Sequence, residues 1–190
     1  MDKIEHVLLC IMGRTSSGKD TLVNKLCGRT GLTAITSYTT RPRRDGEGET
    51  HIFSTKEEYE RMKSEGNVAA YTEIAGNIYW TTIDQLYQHS VYIIDPKGVE
   101  TLRQLSLPNL RLVTIYINTP DDVRKERALN KRGDDRLTFM KRDMDERGQF
   151  RDMLRNADFD YSVSNIEWPK AYSVLRWIAT VEGVFKNETS

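Results

Sequence analysis

Cysteine is nearly missing from this chain: 190 residues carry two, Cys10 and Cys27, with no C-x-x-C pair. A disulfide framework and a thiolate zinc site are thereby excluded. Cys10 falls in an apolar run and Cys27 in a helix-compatible stretch, so each reads as a small buried hydrophobe. The three histidines, His6, His51 and His89, show no metal-ligand spacing. Long hydrophobic runs are also lacking. The apolar run near the start, Val7 to Met12, is too short for a membrane span or a signal segment and reads as a buried strand. An excess of one charge is absent too, with 28 basic and 28 acidic side chains. The balance gives no global reason to bind nucleic acid. The basic residues between Arg124 and Arg155 are interleaved with acids. Neither internal repeats nor low-complexity tracts occur. These absences set the expectation of a cytoplasmic, single-domain protein with no membrane or nucleic-acid partner, acting as a monomer or homodimer.

What is present is alternation. HVLLCIM, TAITSY, VYIID, LVTIYIN and DYSVSN read as strands, and helical segments lie between them at Lys19 to Cys27, Val99 to Leu105, Pro120 to Lys131 and Lys170 to Val184. Nearly continuous β-branched runs fit parallel strands covered on both faces. The pattern predicts an α/β fold, a parallel sheet flanked by helices. Two stretches interrupt it. Residues 37–88 hold short polar strands, a Lys56–Glu65 helix and a hairpin near Ala75-Gly76-Asn77, the composition of an inserted α+β subdomain. Residues 132–150 are too polar to enter a core and suit an exposed, mobile helical lid. The expected division is a core of 1–36, 89–131 and 151–190, the insertion 37–88 and the lid 132–150.

GRTSSGKDT joins the first strand to the first helix. Gly13, Gly18 and Lys19 satisfy G-x-x-x-x-G-K, with Arg14, Thr15, Ser16 and Ser17 between. Backbone N–H groups in such a loop cradle phosphate, the following helix N-terminus favours the anion, and the lysine reaches the outer phosphates. A chance strand–turn–helix corner is the competing reading. Asp20 stands where a hydroxyl usually holds magnesium, and Thr21 keeps a hydroxyl one residue on. Mg²⁺ accepts carboxylates, so Asp20 is a candidate ligand, directly or through water. Alternatively it is a first-turn acid meeting the helix dipole.

SYTTRPRRDGEGETHIF follows the second expected strand. Two arginines in a constrained loop form a clamp for a dianionic phosphate, against the plainer reading of a solvated basic turn. Here the sequence resembles the guanylate kinase family, through Ser37, Thr39-Thr40-Arg41, Arg44 and Gly46-Glu47. The resemblance continues at Gly76-Asn77-Ile78-Tyr79, Thr81, Asp95-Pro96-Lys97-Gly98-Val99, Arg132-Gly133, Lys141-Arg142 and Ala157 to Asn165. It implies a P-loop kinase core with an acceptor-binding insertion and a lid. Its implied activity is ATP- and Mg²⁺-dependent phosphorylation of a small phosphorylated acceptor, GMP or another nucleoside monophosphate. ATP would be held by Gly13, Arg14, Thr15, Ser16, Ser17, Gly18, Lys19, Asp20, Thr21 and Asn165. The acceptor would be held by Ser37, Arg41, Arg44, Glu47, Tyr79, Thr81 and Asp95. Lys19, Arg41, Arg132 and Arg142 would neutralise charge on the moving phosphoryl, and Asp20 and Asp95 would serve the metal.

The departures concentrate on base recognition. The glutamate that the family uses to read guanine falls, counting back from Tyr79, on Ala70. Glu73 is three residues along the strand and therefore on the other face unless a bulge intervenes. Trp80 stands where the family has a small residue, and its bulk would reshape the pocket. Asp20 and Ala70 together also suit a ribose 1,5-bisphosphate phosphokinase, which reads no base. A non-catalytic guanylate-kinase-like binding module is a third reading, opposed by the presence of Lys19, Arg132 and Arg142.

Overall fold

Strand β1 (His6–Met12) alternates its side chains between two cores. Leu9 and Ile11 join one apolar cluster, while Leu8, Cys10 and Met12 join another on the opposite face. That burial on both sides is why the run is continuously apolar. The computed structural model describes residues 6–43, 50–74, 76–131, 133 and 135–185. The remaining elements are α1 (Lys19–Thr30), β2 (Tyr38–Thr39), β3 (Ile52–Phe53), α2 (Lys56–Ser64), β4 (Val68–Ile74), β5 (Asn77–Thr82), α3 (Ile83–Gln88), β6 (Val91–Ile93), α4 (Pro96–Gln104), β7 (Leu110–Asn118), α5 (Asp121–Glu126), a π-helical turn (Arg127–Lys131), α6 (Arg136–Asn156), β8 (Tyr161–Ser164) and α7 (Trp168–Val181).

Among the described residues two four-stranded sheets result. The core sheet has the order β6-β1-β7-β8 with every pair parallel. Its first face packs on α1 and α7 through Leu22, Val23, Leu26, Leu175 and Ile178. Its second face meets α4 and α6 through Val99, Leu102, Phe150 and Met153. The smaller sheet has the order β3-β2-β5-β4 and is mixed. Trp80, Tyr59 and Met62 pack between it and α2.

Several expected elements take a different form. TAITSY is not a core strand. Ala34 makes only an isolated bridge to Val91, and Tyr38–Thr39 pair in the smaller sheet. The segment hands the chain from one sheet to the other, so its apolar residues are split between them. The stretch 132–150 does reach the core: α6 runs unbroken to Asn156 and buries Phe139, Asp143, Phe150 and Met153. Its polar sequence concealed this because the partners of Asp143 are themselves charged. The expected Pro120–Lys131 helix changes to a π-helical turn at Arg127, a feature frequent at functional sites. Cys10 is wholly buried, which pushes its thiol up to about 12. Among the described residues no helix is long and apolar enough to cross a membrane.

Candidate active site

The loop between β1 and α1 is shaped by two left-handed residues, Ser16 (φ 59°) and Gly18 (φ 84°). Gly13 is required for close approach: a Cβ there would lie 2.5 Å from Ser17 Oγ and 3.2 Å from the Ile117 side chain. At Gly18 a Cβ would sit 2.6 Å from Asn165 Nδ2, and the backbone strain would add to the clash.

Beneath the loop, three donors converge on one acceptor. The Ser17 carbonyl accepts from Asn165 Nδ2 at 2.8 Å, Thr119 Oγ1 at 2.9 Å and Arg127 Nη1 at 3.2 Å. Across a trans peptide the next N–H points opposite to the carbonyl. Pinning the Ser17 carbonyl inward therefore turns the Gly18 N–H outward, toward the side where an anion would lie. Asn165 is thus a support of the loop, buried at the end of β8 with its Oδ1 unpartnered among the described residues. Arg127 also donates to the Asn165 and Ile166 carbonyls, tying the loop to the same strand end.

Behind the loop lies a square of charges. Arg14 reaches Asp143 at 2.6 Å and Asp121 at 3.2 Å, and Arg124 reaches the same two at 2.7 and 2.8 Å. Arg124 is 1% exposed and also donates to the Thr15 carbonyl. Its guanidinium holds the Asp121 carboxyl below the usual range. Arg14 is therefore directed at α5 and α6. Glu146 on α6 accepts from the Thr15 N–H at 2.6 Å, and burial pushes its carboxyl up.

Beside the loop is a cavity of about 580 Å³ lined by Ser16, Gly18, Lys19, Asp20, Thr21, Arg127 and Trp168, among others. That volume suits a small organic ligand. Lys19 Nζ lies 3.8 Å from Asp20 Oδ2, and the Asp20 side chain is exposed at the first turn of α1. Among the described residues no group of three or more metal-ligating side chains occurs. Mg²⁺ bound with a nucleotide needs only one or two carboxylates, the rest coming from phosphate and water, so the exposed Asp20 fits that demand.

A second cavity, about 520 Å³, opens between the smaller sheet and the start of α4, and Ser37, Ala70, Tyr79, Tyr92 and Asp95 border it. The structure thus brings Ser37, Tyr79 and Asp95 to one site. Asp95 also caps α4, accepting from the Gly98 N–H at 2.7 Å. Thr81 is fully buried behind the wall, bonded to Ser37 and Tyr92. Arg41 lies against the Phe53 ring and donates to the Pro42 carbonyl. Arg142 is on the exposed side of α6. Arg44, Glu47 and Arg132 fall outside the described residues.

The register decides the face of each residue around Ala70. Ala70 pairs with Thr81 and Thr72 with Tyr79, while Tyr71 pairs with Trp80 and Glu73 with Ile78. The irregularity in β4 lies between Val68 and Ala70, so the alternation from Ala70 to Glu73 is intact. Glu73 therefore shares the face of Tyr71 and Trp80, not that of Ala70. The Trp80 ring stacks on Tyr38, meets Tyr59 edge-on and directs its N–H at Met62 Sδ. Its ring packs under α2, and Trp80 also borders the cavity, as does Glu73.

The residues that sequence reasoning missed are Tyr92, Thr119, Arg127, Trp168, Glu146 and Arg124. Glu146 and Arg124 sat in a run of alternating charge where spacing could not rank them. Tyr92 had a usable signal, a phenol inside an otherwise aliphatic strand.

A sequence model of the family described as guanylate kinase matches residues 5–180. The guanylate kinase of Methylococcus capsulatus is 29% identical over 187 residues, covering 94% of this chain and 89% of the relative. That of Parasynechococcus marenigrum is 28% identical over 173 residues, with 84% and 95% covered. Among solved structures, the crystal structure of guanylate kinase from Anaplasma phagocytophilum matches with a TM-score of 0.64 at 23% identity. It covers 96% of this chain and 88% of that one, a likeness of fold.

Proposed function

Since this chain belongs to the guanylate kinase family, we propose that it transfers the terminal phosphoryl of ATP to a nucleoside monophosphate, with GMP as the leading acceptor. The observation that carries the reading is the anchored loop, whose Ser17 carbonyl is held inward by three donors beside Lys19 and a ligand-sized cavity. A fixed ring of N–H donors costs no reorganisation when phosphate charge shifts.

Phosphoryl transfer asks little covalent work of a protein and much positioning. In this reading Lys19 and the loop N–H groups hold the ATP phosphates. The nucleoside of ATP lies in the cavity bordered by Arg127 and Trp168. Ser37, Tyr79 and Asp95 form the acceptor side, with Arg41, Arg44 and Glu47 completing it. Arg132 and Arg142 close over the phosphates. Asp20 would hold Mg²⁺, which would neutralise phosphate charge when bound with ATP, and Asp95 would be the second candidate ligand. Residues 37–88 act as the acceptor-binding insertion and 132–150 as the lid.

A coupled ADP-release assay across nucleoside monophosphates and ribose phosphates tests this. Turnover of GMP, abolished by Lys19→Met, is the expected result. Turnover confined to ribose phosphates would replace it with a sugar-phosphate kinase, and no turnover with any acceptor would leave a binding module.

A further inference from the structure

The acceptor cavity has an unusual floor. Tyr92 stands on β6, where its backbone pairs with Cys10 in the core sheet. Its ring reaches to the smaller sheet, and its hydroxyl lies 2.6 Å from Thr81 Oγ1. Thr81 Oγ1 is in turn 3.2 Å from Ser37 Oγ. The three hydroxyls form a line with Thr81 buried at its centre, and both ends, Ser37 and Tyr92, border the cavity. Across the strand pair from Thr81 is Ala70, which offers no polar group. Burial keeps the Tyr92 phenol protonated by pushing it above its ordinary range.

A carboxylate is an acceptor only, whereas each hydroxyl carries one hydrogen and can also accept. Three hydroxyls in a line therefore have two polarities. In one, Tyr92 donates to Thr81, Thr81 donates to Ser37, and Ser37 is left with a hydrogen to donate into the cavity. In the other, Ser37 donates to Thr81, Thr81 donates to Tyr92, and Ser37 presents a lone pair. Both polarities pair the buried Thr81; in the second the Tyr92 hydrogen is left to turn toward the cavity that Tyr92 borders, so each polarity presents one donor and one lone pair at opposite ends.

We propose that Tyr92 is a specificity-determining residue: with Thr81 and Ser37 it forms a reversible hydroxyl chain that reads the base of the acceptor, so that purine monophosphates with a 6-oxo or a 6-amino group are both phosphorylated. The proposal rests on the nucleoside monophosphate reading above. A site with fixed, matched hydrogen bonds rejects the wrong partner by about 10⁴ or more. A chain that can reverse gives up most of that. Wild-type kcat/KM for GMP and AMP should lie within about 100-fold of one another.

Tyr92→Phe makes the proposal directional. Without the phenol, Ser37 is the one hydroxyl partner left to Thr81 among the described residues, and the chain is held in the polarity that donates into the cavity. A 6-oxo base accepts that hydrogen and a 6-amino group does not. The GMP-to-AMP ratio of kcat/KM should therefore rise by about tenfold, with KM for ATP unchanged, the range expected for one unpaired buried hydroxyl. A loss of packing alone would lower both acceptors together. Ala70→Glu is the second variant, which places an acceptor-only group across from Thr81 and should raise the GMP preference over AMP by about 100-fold or more.

The experiment is steady-state kinetics with GMP, IMP and AMP on the wild type and both variants, with thermal melts to confirm folding. A wild-type GMP preference of about 10⁴ or more would overturn the proposal, leaving the nucleoside monophosphate reading intact. An unchanged GMP-to-AMP ratio in folded Tyr92→Phe would overturn it too. If Tyr92→Phe fails to fold, Ala70→Glu decides, and an unchanged ratio there shows that the base is not read on this face. Turnover of ribose phosphates alone, with no nucleotide acceptor, would sink the underlying reading instead.

Discussion

Glu146 Oε2 accepts a hydrogen bond at 2.6 Å from the backbone N–H of Thr15, inside the phosphate loop. A carboxylate thus sits on a loop built to gather anions. Lys19, Arg124 and Arg14 draw it there electrostatically, yet its burial outweighs them and raises its proton affinity. Glu146→Gln keeps an acceptor oxygen for the Thr15 N–H but removes a negative charge from beside the phosphates. ATP should bind about tenfold more tightly to this variant, a change of ~1.4 kcal/mol readable by calorimetry. The pH dependence has a definite sign. The folded-state value lies above the unfolded one, so the ionised wild-type group opposes folding once both have titrated. Below about pH 4 the two proteins should melt together. As pH rises past the unfolded value and through the folded one, the variant should become the more stable. Identical melting curves up to pH 8 would contradict this.

The Ser17 carbonyl anchor gives a second prediction. Asn165→Ala removes one of its three donors and leaves Thr119 and Arg127 in place. Stability should fall by about 1–2 kcal/mol, the worth of a buried hydrogen bond to an acceptor with other partners. KM for ATP should rise about tenfold while KM for the acceptor is unchanged. Equal effects on both substrates would show that Asn165 acts on the fold as a whole.

The buried guanidinium behind the loop is more sensitive. Arg124→Ala leaves Asp143, buried on α6, with Arg14 and the distant edge of Arg147 as partners, and it frees the Thr15 carbonyl. Breaking a buried ion pair from one side costs about 3–5 kcal/mol. For a domain of this size that corresponds to a Tm lower by roughly 10 °C. A shift under about 3 °C would mean that water replaces the arginine without penalty.

Asp20 offers the test of metal binding. It is exposed at the first turn of α1, so Asp20→Ala should leave Tm nearly unchanged. The Mg²⁺ concentration for half-maximal rate should rise by about tenfold or more, with a much smaller change in KM for ATP. An unchanged Mg²⁺ dependence would reduce Asp20 to an acid at a helix N-terminus.

Legibility in the sequence differed with the range of the interaction. The strand from His6, the loop at Gly13 to Thr21 and the hairpin near Gly76 could be read because each is a local pattern of polarity, glycine and turn residues. The displacement of Glu73 from the Ala70 face was legible as well, since strand alternation is a local rule and the irregularity in β4 falls before Ala70. TAITSY misled because its two ends pair in different sheets. The burial of α6 was hidden because Asp143 enters the interior on the strength of Arg14 and Arg124, 129 and 19 residues away in the chain. Spacing within one segment carries no information about such partners.

The sequence by itself determined the alternating α/β order, the phosphate loop and the missing carboxylate at Ala70, since helix and strand periods and loop chemistry are written within a few residues. The tertiary structure alone decided which side chains meet. It turned Asn165 and Thr119 onto one carbonyl, set Glu146 on the Thr15 N–H, and joined Ser37, Thr81 and Tyr92 from three strands or their flanks. Those contacts follow from sheet register and helix docking, which only the assembled core fixes, because burial selects one arrangement of elements from the many that local preferences allow.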